Sequence, residues 1–230
     1  MLLLLCGCKK DNSKLVLVTE ASFAPYEYYS DGEIVGVDVA IGKDIADYLG
    51  KDLKVKDVSF DSIISEVKSG KSDIGAAGIS YTDERAKQVD FTISYAESRQ
   101  VIIVKKNSLI RKPKDLKNIK VAVQLGSVAD GYLDENYSSV ILVREKKFLA
   151  AVQDLKDGKV SAVVMDELPA KKYVTSDLEI LPDEVTTDTY GMIVDKGNLE
   201  LLQAANTVIK RLRDEGKIDK YLLEYMERSQ

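Results

Sequence analysis

From Leu15 onward, short apolar runs alternate with amphipathic stretches. Leu15–Val18, Ile74–Ala77, Val101–Val104, Val121–Val123, Val140–Val143 and Ala162–Met165 are near-continuous apolar runs, the pattern of strands buried on both faces in parallel sheets. Between them, Phe148, Ala151, Val152 and Leu155 recur at spacings of three and four, as do Leu201, Leu202, Ala205, Val208, Ile209 and Leu212. That spacing predicts helices with one apolar face, and the alternation of the two patterns predicts an α/β fold. One echo bears on the domain count. Val67–Ile74 and Leu155–Ala162 each read as a helix end, a glycine stop flanked by lysines, and the entry into an apolar strand. Two such units predict two lobes of similar construction, with a ligand cleft between them at the carboxyl ends of the strands.

Composition narrows the chemistry. The 230 residues include no histidine and no tryptophan, which excludes Ser-His-Asp and Cys-His nucleophile systems, His-ligated zinc and the ordinary neutral-pH switch. A net charge of −5, with lysines and acids interspersed, argues against a nucleic-acid partner. There is no P-loop, no dinucleotide fingerprint and no metal-spaced acid cluster, so neither a cofactor nor a metal is expected. The two cysteines, Cys6 and Cys8, cannot build a disulfide framework. They follow an apolar run, Leu2–Leu5, and precede the polar stretch Lys9–Ser13. Leu5-Cys6-Gly7-Cys8 resembles a bacterial lipobox, which implies lipidation of Cys8, a truncated signal segment and tether over residues 1–13, and an extracytoplasmic, membrane-anchored protein.

Three positions offer binding chemistry. After the run ending at Ala77 comes Gly78-Ile79-Ser80-Tyr81-Thr82-Asp83-Glu84-Arg85. Thr82 is a good N-cap and Gly78 permits close backbone approach, while Arg85 can grip a carboxylate through two parallel hydrogen bonds. A solvated helix start with a surface Arg–Asp pair is the competing reading. Asp166, at the end of the Ala162–Met165 strand, is placed to accept from a cation, or else to cap the following helix. Together Arg85 and Asp166 describe a receptor for a zwitterion. Phe23 and Phe60 could sandwich the apolar part of a ligand or simply be core, and the glycine turn after Gln124 could offer backbone N–H groups to a carboxylate.

The ordered set Phe23-Ala24-Pro25-Tyr26-Glu27, Gly36-Val37-Asp38-Val39, Phe60-Asp61-Ser62-Ile63-Ile64, Gly70-Lys71-Ser72-Asp73, Thr82-Asp83-Glu84-Arg85, Val89-Asp90-Phe91-Thr92 and Leu125-Gly126-Ser127 resembles the extracytoplasmic solute-binding proteins for polar amino acids that feed ABC importers. The resemblance implies a type II periplasmic-binding-protein fold. Lobe 1 would be residues 14–94 plus 195–230 and lobe 2 residues 100–189, with hinge strands near 95–99 and 190–194. It assigns the ligand α-carboxylate to Arg85, Ser80 and the backbone of Gly78 and Val128. The α-ammonium falls to Asp166 and the Gly78 carbonyl, and the side-chain slot to Phe23, Phe60, Glu20, Ala77, Gln124 and Met165. It implies a monomer with a membrane permease as partner, no cofactor, and ligand capture by closure of the lobes.

A buried carboxylate at Glu20 favours arginine or lysine, with glutamine next, because an unpaired buried charge is costly. With binding given to Arg85, Asp166 and Glu20, capture is expected to vary little across neutral pH. The alternatives are a cyclohexadienyl dehydratase on the same fold, disfavoured by the intact Arg85–Asp166 pair and the missing histidine, and a sensory domain of a receptor.

Overall fold

The computed structural model describes residues 12–174 and 176–229. In chain order the first half runs β1 (Lys14–Thr19), a small meander of β2 (Ser22–Phe23), β3 (Glu27–Ser30) and β4 (Glu33–Val35), then α1 (Val37–Tyr48), β5 (Asp52–Asp57), α2 (Ile63–Lys68), β6 (Ile74–Gly75), α3 (Asp83–Ala86) and β7 (Val89–Phe91). There follow β8 (Ala96–Lys105), β9 (Lys120–Gln124), α4 (Val128–Asn136), β10 (Ile141–Glu145), α5 (Phe148–Asp157), β11 (Ala162–Asp166), α6 (Glu167–Tyr173) and β12 (Leu178–Tyr190). The chain then forms β13 (Ile193–Asp195), α7 (Leu199–Asp214) and α8 (Lys217–Arg228).

Two five-stranded sheets organise two lobes, in the orders β5-β1-β6-β13-β7 and β10-β9-β11-β8-β12. Neither is wholly parallel. The strands β1, β5 and β6 run parallel, as do β9, β10 and β11. By contrast, β13 is antiparallel to β6 and β7, and β8 is antiparallel to both β11 and β12. This corrects the parallel assignment of Val101–Val104. A continuous apolar run reports burial of both faces and says nothing of direction, which here is set by the chain crossing from one lobe to the other. The crossing strands pair along most of their length, from Leu178 opposite Lys105 to Tyr190 opposite Ala96. A bridge from Ser80 to Tyr190 then knits their ends to the first lobe.

The helices follow their apolar spacing. Leu201, Ala204, Ala205, Val208, Ile209 and Leu212 are the buried face of α7, and the Asn198 side chain accepts the Leu201 N–H at 3.3 Å to cap its start. Phe148, Ala151, Val152 and Leu155 are buried on α5. Each such Leu, Val, Ile or Phe side chain contributes roughly 1.5–3 kcal/mol by leaving water. The two glycine stops lie in the left-handed region, Gly70 at φ +68° and Gly158 at φ +75°, a conformation that closes a helix at little cost only for glycine. Among the described residues, no helix is long and apolar enough to cross a membrane. Cys8 and the segment up to residue 11 lie outside the described residues.

Candidate functional site

The lobes meet around a narrow pocket with a free volume of about 10 Å³, room for about one water molecule, so the cleft is closed on itself. Glu20, Phe23, Phe60, Ala77, Gly78, Ser80, Gln124, Val128 and Asp166 line it, along with Glu27, Gln100, Ser127 and Phe148. The sequence signals thus converge from the ends of β1, β6, β9 and β11, the strand-end position at which open α/β sheets bind ligands. Arg85 is not among the lining residues but contacts two of them, Ser80 and Phe60.

Thr82 caps α3, its hydroxyl accepting the Arg85 N–H at 3.1 Å, and this aims the Arg85 side chain toward the cleft. Its Nη1 donates to the Ser80 carbonyl at 2.6 Å and its Nη2 to the Gly126 carbonyl, on the other lobe, at 2.8 Å. The guanidinium stacks 5.4 Å from the centre of the Phe60 ring. It is thus engaged by backbone carbonyls and an aromatic face, unlike the surface Arg–Asp pair considered from sequence. Burial pushes its pKa below the ordinary value, opposed by the nearby negative charges of Asp188 and Asp166. Phe60 therefore faces Arg85, while Phe23 stacks on Phe148 of the second lobe with centroids 5.6 Å apart and planes inclined by 24°.

Asp166 occupies the N-cap position of α6 but makes no capping hydrogen bond. Its Oδ1 accepts instead from Ser98 Oγ at 2.8 Å, from Gln100 Nε2 at 2.7 Å and from the Tyr190 hydroxyl. The capping alternative is thereby removed. Burial raises the pKa of this carboxyl, and the three donors pull it back only in part.

Further acids crowd the site. Glu20, 1% exposed, accepts from Ser22 Oγ at 2.8 and 2.7 Å and pairs across the cleft with Lys147 Nζ at 3.2 Å. Glu20 is therefore not an unpaired charge, and the protein supplies a cation of its own beside it. Glu27 and Asp38 are fully buried. No donor reaches either Glu27 oxygen, and Asp38 Oδ2 accepts the Gly78 N–H at 2.9 Å. Burial lifts Glu27 well above the usual carboxylate range, with Asp38's charge adding to the effect, and it lifts Asp38 to about 6. Behind them Asp188 accepts the same Gln100 amide at 2.9 Å. Its carboxyl is raised to about 7 by burial and then by the charge of Asp166. Groups titrating this high replace the expectation of fixed charge that the histidine-free composition suggested.

Gly78 is needed where it stands. Its φ is +53°, and a Cβ there would lie 2.6 Å from Phe23 Cε1, closer than two carbon atoms can approach. Gln124 is held by its Nε2 donating to the Lys146 carbonyl at 3.2 Å. Met165 is buried in the core beneath the site. Sequence reasoning missed Phe148, read only as a helix-core position; Gln100, a polar residue interrupting an apolar strand; and Lys147, which pairs with a residue far away in the chain. The groups complement a zwitterion chemically, with a guanidinium and a hydroxyl on one side of the cleft and carboxylates on the other.

The sequence profile of the bacterial extracellular solute-binding proteins, family 3, matches residues 15–228. The arginine-binding extracellular protein ArtP of Bacillus subtilis is 32% identical over 221 residues, covering 93% of this chain and 86% of that protein. The ABC transporter glutamine-binding protein GlnH of the same organism is 30% identical, covering 91% and 80%. The amino-acid ABC transporter substrate-binding protein AbpA of Streptococcus pneumoniae, solved bound to L-arginine, superposes with a TM-score of 0.90 at 35% identity, covering 94% of this chain and 96% of that one. With the two-lobe fold and the cleft already described, the chain belongs to the bacterial extracellular solute-binding proteins, family 3.

Proposed function

We propose that this protein is the substrate-binding component of an amino-acid ABC importer, holding one free amino acid between its lobes and presenting the closed form to a membrane permease. Arg85 and the Ser80 hydroxyl take the α-carboxylate, Asp166 and the Gly78 carbonyl take the α-ammonium, and Phe23 and Phe60 flank the side chain. The observation that carries this reading is the placing of Arg85 and Asp166 on either side of one cleft whose lobes already touch, through Arg85 to the Gly126 carbonyl at 2.8 Å and Tyr173 to the Ser22 carbonyl at 3.1 Å. A ligand gripped from both sides binds the closed form better, so it shifts the population toward closure.

Arginine or lysine is the preferred ligand, since Glu20 and Asp166 place carboxyl groups on the cavity wall. Glutamine is the second reading, favoured by one observation: Glu20 and Lys147, 3.2 Å apart, offer an acceptor and a donor side by side, the complement of a carboxamide. The protein acts by binding, without turnover, as a monomer tethered to the membrane through a lipid on Cys8. That anchor is supported by the Leu5-Cys6-Gly7-Cys8 sequence alone. Thermal denaturation in the presence of free amino acids tests the proposal. Saturable stabilisation by a basic amino acid or glutamine is expected, and no stabilisation by any amino acid would remove the reading.

A further inference from the structure

A buried carboxyl, Asp166, and a half-buried one, Asp188, lie on either side of one amide. Gln100 Nε2 donates to Asp166 Oδ1 at 2.7 Å and to Asp188 Oδ2 at 2.9 Å, while the second Asp188 oxygen is buried with no donor. The groups that face Asp188 are Asp166 at the end of β11, the Ser80 hydroxyl, the Gln100 amide of β8 and the Arg85 guanidinium of α3. The charge of Arg85 lowers Asp188, but by less than burial and the charge of Asp166 raise it. The Tyr26 and Tyr190 hydroxyls also feel both acids, and they are neutral at ordinary pH. On its far side Asp188 lines a surface hollow with Glu97, Arg99 and Glu167, where Arg99 is held by Glu167 at 2.7 Å and by Glu184 at 3.6 Å.

Two carboxylates that share one amide, with no cation in ion-pair contact with either among the described residues, do not both ionise near neutral pH. We propose that Asp166 and Asp188 together hold one proton in the free protein and that the arriving α-ammonium expels it, making ligand capture proton-linked with Asp188 as the positioning residue. The inference rests on the assignment of the ammonium to Asp166. The ammonium keeps its own protons. The carboxyl O–H bond breaks, its electron pair stays on the carboxylate, and the proton leaves to water through the hollow that Asp188 lines, so closure of the cleft does not trap it. The raised position of Asp188, about 7, sets the range. Release approaches one proton per ligand toward pH 6 and fades above pH 8. The logarithm of the affinity therefore rises with pH at a slope equal to the number of protons released, up to tenfold per pH unit.

Calorimetric titration with L-arginine in phosphate and in Tris, from pH 6 to pH 8, measures this release directly as the difference in apparent enthalpy between buffers of different ionisation enthalpy. Release that declines from pH 6 to pH 8 in the wild type, and is lost in Asp188→Asn, is the expected result. Arginine binding with no release in the wild type overturns the inference and leaves the amino-acid reading intact; the wild type alone decides this, whatever the variant's folding. Release that persists in Asp188→Asn also overturns it and moves the proton to the Glu27–Asp38 pair. Failure of arginine, lysine and glutamine all to bind removes the amino-acid reading, and this inference with it.

Discussion

Lys147→Ala separates the two ligand readings. Lys147 Nζ lies 3.2 Å from Glu20 across the cleft, a gross attraction of about 5 kcal/mol at an effective dielectric of 20. The lysine side chain is 47% exposed, so screening and the entropy of holding a long side chain reduce the net value to about 1 kcal/mol. A ligand guanidinium or ammonium bound at Glu20 competes with that pair, and removing Lys147 strengthens its binding by about the same amount, roughly fivefold. A carboxamide loses a donor instead, and weakens. Loss of the pair also removes a contact that holds the lobes together, but that affects every ligand alike. The informative quantity is therefore the ratio of the glutamine Kd to the arginine Kd, measured by calorimetry on wild type and variant under one set of conditions. The geometry predicts that this ratio rises about fivefold or more. A ratio that stays constant or falls would show that the ligand side chain does not meet Glu20, and would refute the specificity argument.

Two further outcomes follow from the site. Arg85→Ala should weaken amino-acid binding by about 2–5 kcal/mol, because the ligand carboxylate is left buried without its cation; near-normal affinity by calorimetry contradicts the assignment. Gly78→Ala forces a Cβ to within 2.6 Å of Phe23 Cε1 at φ +53°, costing about 1–3 kcal/mol. For a chain of this size that is a fall in melting temperature of roughly 2–4 °C per kcal/mol, and an unchanged melting curve would count against the tight packing of Phe23 on that glycine.

The features legible in the sequence were those with a local signature. The apolar spacing of α5 and α7, the Thr82 cap, the two left-handed glycines and the acid ending β11 each follow from a few neighbouring residues. Strand direction did not, since burial on both faces is the same for a parallel and an antiparallel neighbour. β5, where exposed Asp52 and Lys54 alternate with partly buried Leu53 and Val55, has the polar spacing of an edge strand and lacks the continuous apolar run used to find the others. The meander at Ser22–Val35 carries tyrosines, serines and glutamates that read as loop. The partners of the site acids were the least legible. Lys147 meets Glu20 only because two lobes close, and Asp188 sits in the run Thr187-Asp188-Thr189, which looks like the solvent side of a strand. The pairing of β12 with β8 brings it instead beside Gln100 and Asp166. The absence of histidine does not by itself make the site insensitive to pH, because burial lifts carboxyls into the range that histidine ordinarily occupies.

The central claim is that the cleft captures an amino acid with a cationic side chain between Arg85, Asp166 and Glu20. The most direct measurement compares the melting temperature with L-arginine, L-lysine, L-glutamine and L-glutamate, each in large excess. A ligand at about one hundred times its Kd stabilises the folded form by about 2.7 kcal/mol, a rise of roughly 5–10 °C here. The largest rise is predicted for arginine or lysine, with glutamine behind them. A larger rise with glutamate would contradict the acidic cavity as the determinant of specificity.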